Sequence, residues 1–189
     1  RARFGAPPVW EPELTSERRF SDRAPAHAAV LVPIVQRDQP TVLLTERTAH
    51  LSTHSGQIAF PGGKADPQDY DPALLAHLDG AAADADMRAI QVSAIREAFE
   101  ECGILLARTE GAAGLVDARR LVELEPYRIS LHSGASSLRA FVENERLRLA
   151  CDQLVHFAHW ITPEMMPKRF DTHFFLAVAP ADHLAVHDG

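Results

Sequence analysis

Apolar positions group into several short segments that predict β-strands. AHAAVLVPIV, residues 26–35, is apolar and β-branched and predicts a buried strand. TVLLTER, residues 41–47, follows the turn QRDQP, so the two segments predict a hairpin. WITPE, residues 160–164, predicts a strand that ends in a turn, and THFFLAVAP, residues 172–180, predicts the last strand.

Other segments have the period of an amphipathic helix. From about Asp84 to Cys102 the pattern is helical, and Gly103 stands where a helix C-cap is expected. One apolar stripe of this helix comprises Ile95, Ala98, Phe99 and Cys102. A short helix is predicted at 72–78. The Leu-rich stretch 118–157 predicts two or three helices, interrupted around SLHSGASS.

Length and composition narrow the class of protein. The 189 residues suffice for one domain with a sizeable core. We predict an extended, Pro-rich arm over residues 1–25 and one folded domain over 26–189, with an insertion at about 64–90. A net charge of -7 argues against a general nucleic-acid-binding protein, so no nucleic-acid partner is expected. No apolar run reaches the length of a membrane span, and no membrane partner is expected.

The two cysteines indicate the compartment. Cys102 and Cys151 are expected to be reduced and at least partly buried rather than joined in a disulfide. Reduced cysteines suit a reducing compartment, and we expect a cytoplasmic protein.

Three carboxylates crowd one short segment of the predicted long helix. Glu97, Glu100 and Glu101 are related by i, i+3 and i+4, so they share one helix face. Such a cluster repels itself unless a cation is present, and hard divalent ions prefer oxygen ligands. A solvated acidic helix face is the alternative interpretation of the same spacing.

The residues around these carboxylates form a longer motif. The order R-E-A-F-E-E-C-G-I, residues 96–104, resembles the second half of the Nudix box, G-x5-E-x7-R-E-U-x-E-E-x-G-U, where U is aliphatic. The matching positions are Arg96, Glu97, Ala98, Glu100, Glu101, Gly103 and Ile104. The first half departs from the pattern, because Gly63 stands 33 positions before Arg96 instead of 14, and Asp69 stands where Glu is expected. A loop insertion of this kind costs little closure entropy.

The resemblance implies a fold and a set of roles. The implied fold is the α/β Nudix α/β/α sandwich with a mixed β-sheet. The implied catalytic residues are Glu97, Arg96 and Glu100, with Arg96 holding the carboxylates in place. The implied ligands of Mg²⁺ or Mn²⁺ are Glu97, Glu100 and Glu101, together with a carbonyl at or near Gly63.

A second signature lies before the glycine pair. LLTERTAHLSTHSGQIAFPGG, residues 43–63, resembles the extra signature of coenzyme A diphosphatases within this superfamily, although Ser52 stands where Arg is common. REAFEECGILLAR, WITP and KRFDTHFF resemble the long-insert acyl-coenzyme A diphosphatases. The implied substrate-binding residues are Arg47, His54, Gln57, Gly62, Lys64 and Arg169. The implied reaction cleaves coenzyme A or acyl-coenzyme A to 3′,5′-ADP and (acyl-)4′-phosphopantetheine. His54 and Gln57 as caps of a turn remain the alternative.

Two other functions stay open at this point. The same box serves hydrolases of ADP-ribose, NADH or other nucleoside diphosphate derivatives, and a binding module that has lost catalysis would keep the fold. A homodimer is an open alternative to a monomer. The fold usually has a further strand and helix after residues 172–180, so a longer tail, a partner chain or the stretch 118–157 is expected to supply the remaining layer.

The residues near the predicted last strand have structural as well as functional interpretations. Asp171 is expected to pair with Arg169, and Trp160 to pack in the core or stack on a base. His156 and His159 flank Phe157 but have no Cys or acidic residue at suitable spacing, so the sequence does not predict a zinc site there.

Overall fold

A computed structural model describes residues 24–36, 38–46, 57–180 and 182–183. The α-helices are α1 (Ala85–Cys102), α2 (Ala118–His132) and α3 (Leu138–Asn144). The strands are β1 (Ala26–Val35), β2 (Thr41–Val42), β3 (Thr45–Glu46), β4 (Ile58–Ala59), β5 (Gly62–Lys64), β6 (Leu78–Asp79), β7 (Ala107–Thr109), β8 (Leu147–Ala150), β9 (Val155–Ile161) and β10 (Phe170–Ala179). Short 3-10 helices cover Pro67–Tyr70, Pro72–His77 and Cys151–Gln153.

The main sheet is built around β1, which is the first strand that the hydrophobic pattern predicts. β1 pairs in parallel with β10 along its whole length and antiparallel with β2 and β5, while β9 pairs antiparallel with β10. The sheet is therefore mixed, as predicted. β3 and β4 form a separate two-stranded ladder, and β6, β8 and β7 form a three-stranded sheet.

Helix α1 packs on one face of the main sheet. Its N-cap is Asp84, whose side chain accepts a hydrogen bond from the backbone N–H of Met87. Its C-cap is Gly103, with φ of 70°, a left-handed conformation that glycine adopts without steric cost. The stripe Ile95, Ala98, Phe99 and Cys102 is at most 3% exposed. Burial of this stripe in the hydrophobic core fixes which face of α1 carries the carboxylates.

The remaining helices pack away from the main sheet. α2 contacts α1, where the Arg128 guanidinium donates to the backbone carbonyl of Glu100 at 2.8 Å. α3 packs on β8 and on the 3-10 helices of residues 67–77. Among the described residues, α1 is the helix that packs extensively on the main sheet.

The structure corrects three details of the predicted elements. The segment 41–47 is not one strand, because β2 pairs with β1 whereas β3 pairs with β4. The predicted short helix at 72–78 is a 3-10 helix, Pro72–His77. The stretch 118–157 contains α2 and α3 as predicted, but it continues into β8 and β9 instead of a third helix. Leu-rich composition does not distinguish a buried strand from a buried helix.

The part of the predicted arm that precedes residue 24 lies outside the described residues. Both cysteines are free and buried, as predicted. Within the described ranges, no helix combines the length and the apolar composition needed to cross a membrane.

Candidate active site

The glycine turn and the carboxylate face of α1 meet, as the motif predicts. β5 carries Gly62 and Gly63 and lies directly against α1. The backbone N–H of Gly62 donates to Oε2 of Glu101 at 3.0 Å, although the two residues are 39 positions apart. The long insertion therefore leaves the two halves of the motif in contact.

Gly63 leaves room for a glutamate. A methyl group at its Cβ position would lie 2.6 Å from Cδ of Glu97 and 2.7 Å from each carboxylate oxygen. Real side chains do not approach so closely, so any larger residue at position 63 would displace Glu97. The glycine is required here by close approach rather than by an unusual backbone conformation.

A buried ion pair joins Asp69, in the segment that follows the glycine pair, to Arg96 on α1. Nε of Arg96 donates to Oδ1 of Asp69 at 2.8 Å, and Nη2 donates to Oδ2 at 2.9 Å. The side chain of Asp69 is fully buried and that of Arg96 is 5% exposed. Asp69 also accepts from the backbone N–H of Asp66 at 2.8 Å, which caps the first 3-10 helix. The ion pair thus holds the inserted segment against α1 at Asp69.

The same guanidinium organises two carboxylates on its own helix. Nη1 of Arg96 lies 2.9 Å from Oε1 of Glu97 and 3.3 Å from Oε1 of Glu100. Arg96 therefore occupies the position expected of a residue that holds the carboxylates in place. Because the Arg96 side chain is buried among acidic partners, its guanidinium is not accessible to a substrate.

Acidic side chains outnumber basic side chains in this cluster. Burial raises the pKa of both Glu97 and Glu100 above the ordinary value, and the positive charge of Arg96 partly opposes this rise. One guanidinium contacts Asp69, Glu97 and Glu100, and Glu101 lies on the same face. A bound divalent cation would offset the excess negative charge.

The donor set fits a hard divalent cation. Three carboxylates on one helix face, beside the backbone of a glycine turn, present only oxygen ligands. Glu97 is held in the space that Gly63 leaves open, and Glu101 is oriented by the Gly62 N–H. Of the predicted ligands, Glu97 and Glu101 therefore lie at the glycine turn, whereas Glu100 is linked to Glu97 through Arg96.

The predicted substrate residues have different positions. Arg47 and His54 lie outside the described residues. Gln57 is exposed and directly precedes β4. Lys64 is exposed, and the alternation of side chains along β5 directs it to the sheet face opposite Gly63 and Glu97.

A groove of about 400 Å³ collects three cationic side chains at one end of β1. It is lined by Ala24, Ala26, Lys64, Pro167, Lys168, Arg169 and Phe170. Nε of Arg169 donates to the backbone carbonyl of Thr162 at 3.0 Å, which fixes its side chain. Lys64 and Arg169 therefore share a concave, cationic surface, as expected of residues that bind an anion.

Sequence reasoning undervalued two residues. Asp69 stands where the motif has Glu, yet both of its carboxylate oxygens accept from Arg96. Its position in the motif, six residues after Gly63, is the sequence feature that indicates this role.

Asp171 does not pair with Arg169 as predicted but contacts His159 and His173. Its partners come from register across strands, which spacing along the chain does not reveal. Trp160, 68% exposed, is not a core residue.

Comparison with known proteins agrees with this geometry. Residues 76–188 match the family model described as the NUDT19 Nudix domain. The chain is 38% identical over 136 residues to an uncharacterized Nudix hydrolase, NudL, of Yersinia enterocolitica, covering 66% of this chain and 60% of the relative. It is 36% identical over 135 residues to NudL of Photorhabdus laumondii, covering 67% and 62%. The chain thus spans somewhat under two thirds of the length of these relatives.

A solved structure supports the fold. The crystal structure of a NUDIX hydrolase from Alicyclobacillus acidocaldarius superposes with a TM-score of 0.69 at 29% identity, over 89% of this chain and 76% of that one. The family match covers more than half of the present chain and includes the whole carboxylate helix. The chain belongs to the Nudix hydrolase family.

Proposed function

We propose that this protein is a diphosphatase that hydrolyses coenzyme A or acyl-coenzyme A with Mg²⁺ or Mn²⁺. The observation that carries the proposal is the contact of Glu97 and Glu101 with the glycine turn, through Gly63 and the Gly62 N–H. This contact brings two of the three box glutamates to the glycine turn despite the insertion. An all-oxygen donor set there suits the two proposed metals.

Each residue of the site has a distinct task. Glu97, Glu100 and Glu101 would hold the metal, together with the Gly63 carbonyl. Arg96 is a positioning residue, because it contacts carboxylates and not solvent. When bound, the metal would neutralise the diphosphate and lower the pKa of a bound water. Glu97 or Glu100, with pKa values raised by burial, would accept the proton that water loses.

The reaction is a hydrolysis of one phosphoanhydride bond. The oxygen of water forms a new bond to one phosphorus, and the bond from that phosphorus to the bridging oxygen breaks. For coenzyme A the products are 3′,5′-ADP and 4′-phosphopantetheine, which carries the acyl group when the substrate has one.

The substrate class is supported by charge and by the residues before the glycine pair. Coenzyme A carries a 3′-phosphate in addition to its diphosphate, so it needs cationic contacts beyond the metal site. Lys64, Lys168 and Arg169 line one groove and would supply them. The signature of residues 43–63 supports the same substrate, and Arg47, His54 and Gln57 belong to it.

Initial rates with coenzyme A, acetyl-coenzyme A, ADP-ribose and NADH, each with Mg²⁺ or Mn²⁺, test the proposal. The expected result is the highest kcat/KM for the coenzyme A substrates, with release of 3′,5′-ADP. A rate for ADP-ribose or NADH equal to or above that for coenzyme A would overturn the substrate. Binding of coenzyme A without turnover of any of the four would overturn the enzyme in favour of a binding module.

A further inference from the structure

Three potential metal ligands meet on strands β9 and β10 of the main sheet. His159 on β9 and His173 on β10 are register partners, and Asp171 lies two residues before His173 on β10. Because side chains alternate along a strand, all three lie on the same face. One ligand atom from each lies within 4.8 Å of the other two.

The three side chains converge on one carboxylate oxygen. Nε2 of His159 contacts Oδ1 of Asp171, and Nε2 of His173 lies 3.5 Å from the same oxygen. The two imidazoles are stacked, with centroids 4.1 Å apart and planes 15° apart. Both Nε2 atoms thus face the same oxygen, and a tilt of one ring out of the stack would direct both nitrogen lone pairs, which lie in the ring planes, to one ion.

A third histidine, His156, supports the cluster through His173. Nδ1 of His173 lies 3.1 Å from Nε2 of His156, so a hydrogen bond there fixes the orientation of the His173 ring. Metal-binding histidines are generally held in this way by a partner at the other ring nitrogen.

The cluster is accessible and lies on a regular scaffold. The side chain of His159 is 41% exposed, that of Asp171 21% and that of His173 11%, so an ion reaches the cluster from one side. All three residues lie within paired strands and none lies in a loop. The ligand positions are therefore fixed before an ion binds.

The cluster is separate from the box carboxylates. Ala29 on β1 is in register both with Gly63 on β5 and with His173 on β10. Gly63 and His173 are thus two strand spacings apart, roughly 10 Å. The donor sets also differ, because the helix offers only oxygens whereas the cluster offers two imidazole nitrogens and one carboxylate.

We propose that His159, Asp171 and His173 form a second metal site, selective for a borderline divalent transition ion such as Zn²⁺. Imidazole ligands favour Zn²⁺ and its neighbours over Mg²⁺, whereas carboxylates and carbonyls favour Mg²⁺ and Mn²⁺. The proposal does not depend on the substrate or on the activity of the box carboxylates.

Two binding measurements on the full chain test this site. The first is titration with Zn²⁺ in competition with a chromophoric chelator, in excess Mg²⁺. The second is the electron paramagnetic resonance spectrum of bound Cu²⁺, in which nitrogen ligands produce a splitting that carboxylates do not. His159→Gln is the principal variant because His159 is largely exposed, and thermal unfolding checks that it folds. His132→Gln, an exposed histidine on α2, is the matched control.

The expected result is a Zn²⁺ affinity that His159→Gln and Asp171→Asn each weaken by at least the roughly 10–100-fold that loss of an outer-shell partner causes. His156→Gln is expected to weaken it by about 10-fold. The splitting changes from that of two nitrogen ligands to that of one in His159→Gln and is unchanged in His132→Gln. Wild-type affinity and splitting in His159→Gln would overturn the proposal, as would an equal loss in His132→Gln.

Discussion

Asp69 accepts two hydrogen bonds from the guanidinium of Arg96, at 2.8 and 2.9 Å, across 27 positions of the chain. Both side chains are buried. This pair joins the insertion to the helix that carries the candidate metal ligands. The orientation of Arg96, and through it of Glu97 and Glu100, therefore depends on a residue outside the helix.

Asp69→Asn is expected to lower the free energy of unfolding by about 3 kcal/mol. Removal of one charge from a buried pair leaves the other incompletely compensated, which costs roughly 3–5 kcal/mol. Glu97 and Glu100 still contact Arg96, so the lower end of that range is expected. Urea unfolding of the metal-free protein measures the change.

The matched control for this change is Glu143→Gln. Glu143 pairs with Arg139 at 2.8 Å on the surface, where the two side chains are 43% and 50% exposed. An exposed pair of this kind contributes less than about 1 kcal/mol. Equal losses in Asp69→Asn and Glu143→Gln would contradict the structural role of the buried pair.

Gly63→Ala is expected to weaken Mg²⁺ binding and to lower kcat by at least about 10-fold. The added methyl group would meet the Glu97 carboxylate at 2.6–2.7 Å, so Glu97 must move, and displacement of about 1 Å at such a site can cost about 100-fold. Gly114→Ala is the control, because a Cβ there meets no atom within 4 Å. Calorimetric titration with Mg²⁺ and initial rates measure both effects, and Mg²⁺ affinity equal to that of Gly114→Ala would refute the close-contact argument.

Helix α1, which carries the carboxylates, could be predicted from sequence because residues within it or next to it determine its buried face and its ends. The apolar stripe of Ile95, Ala98, Phe99 and Cys102 fixes the buried face, and the capping positions Asp84 and Gly103 fix its ends. Its contact with the glycine pair could also be predicted, because the two halves belong to one motif. Strands β1 and β10 could be predicted from their continuous apolar pattern.

The rest depends on contacts between distant residues. The partners of Asp171 follow from the pairing of β9 with β10, which no spacing along the chain specifies. The same pairing brings His159 to His173, so spacing along the chain does not predict a metal cluster there. The contact of Asp69 with Arg96 spans 27 positions and likewise depends on the folded structure.

In the absence of metal, the free energy of unfolding of the wild type should fall relative to that of Glu97→Gln as pH rises above about 4.5. Burial raises the pKa of Glu97 in the folded state, so between 4.5 and the raised value the folded state binds more protons than the unfolded state. The stabilisation is complete below the unfolded pKa and is lost as pH rises through the folded pKa.

Urea unfolding in EDTA at a series of pH values measures this difference in stability. Saturating Mg²⁺ should reverse the trend, because the metal binds the deprotonated carboxylates. A wild type that gains stability relative to Glu97→Gln with rising pH, in the absence of metal, would contradict the sign.

Lys168→Gln should lower kcat/KM for coenzyme A by about 10-fold, since a hydrogen bond to a charged group is worth about 1.5 kcal/mol or more. Dephospho-coenzyme A lacks the 3′-phosphate and should be affected much less. Arg119→Gln, an exposed cation on α2, is the control variant. An equal loss of kcat/KM for the two substrates would show that the 3′-phosphate does not bind in the groove of Lys64, Lys168 and Arg169.

Hydrolysis of coenzyme A by Glu101→Gln, at saturating Mg²⁺ or Mn²⁺, tests the proposed metal-dependent mechanism most directly. The variant keeps an oxygen that can accept from the Gly62 N–H, so the fold should be unchanged by circular dichroism and thermal unfolding. We expect loss of at least about 100-fold in kcat, whereas the exposed Glu123→Gln retains wild-type rates. Wild-type turnover in a folded Glu101→Gln would contradict the assignment of Glu101 as a metal ligand.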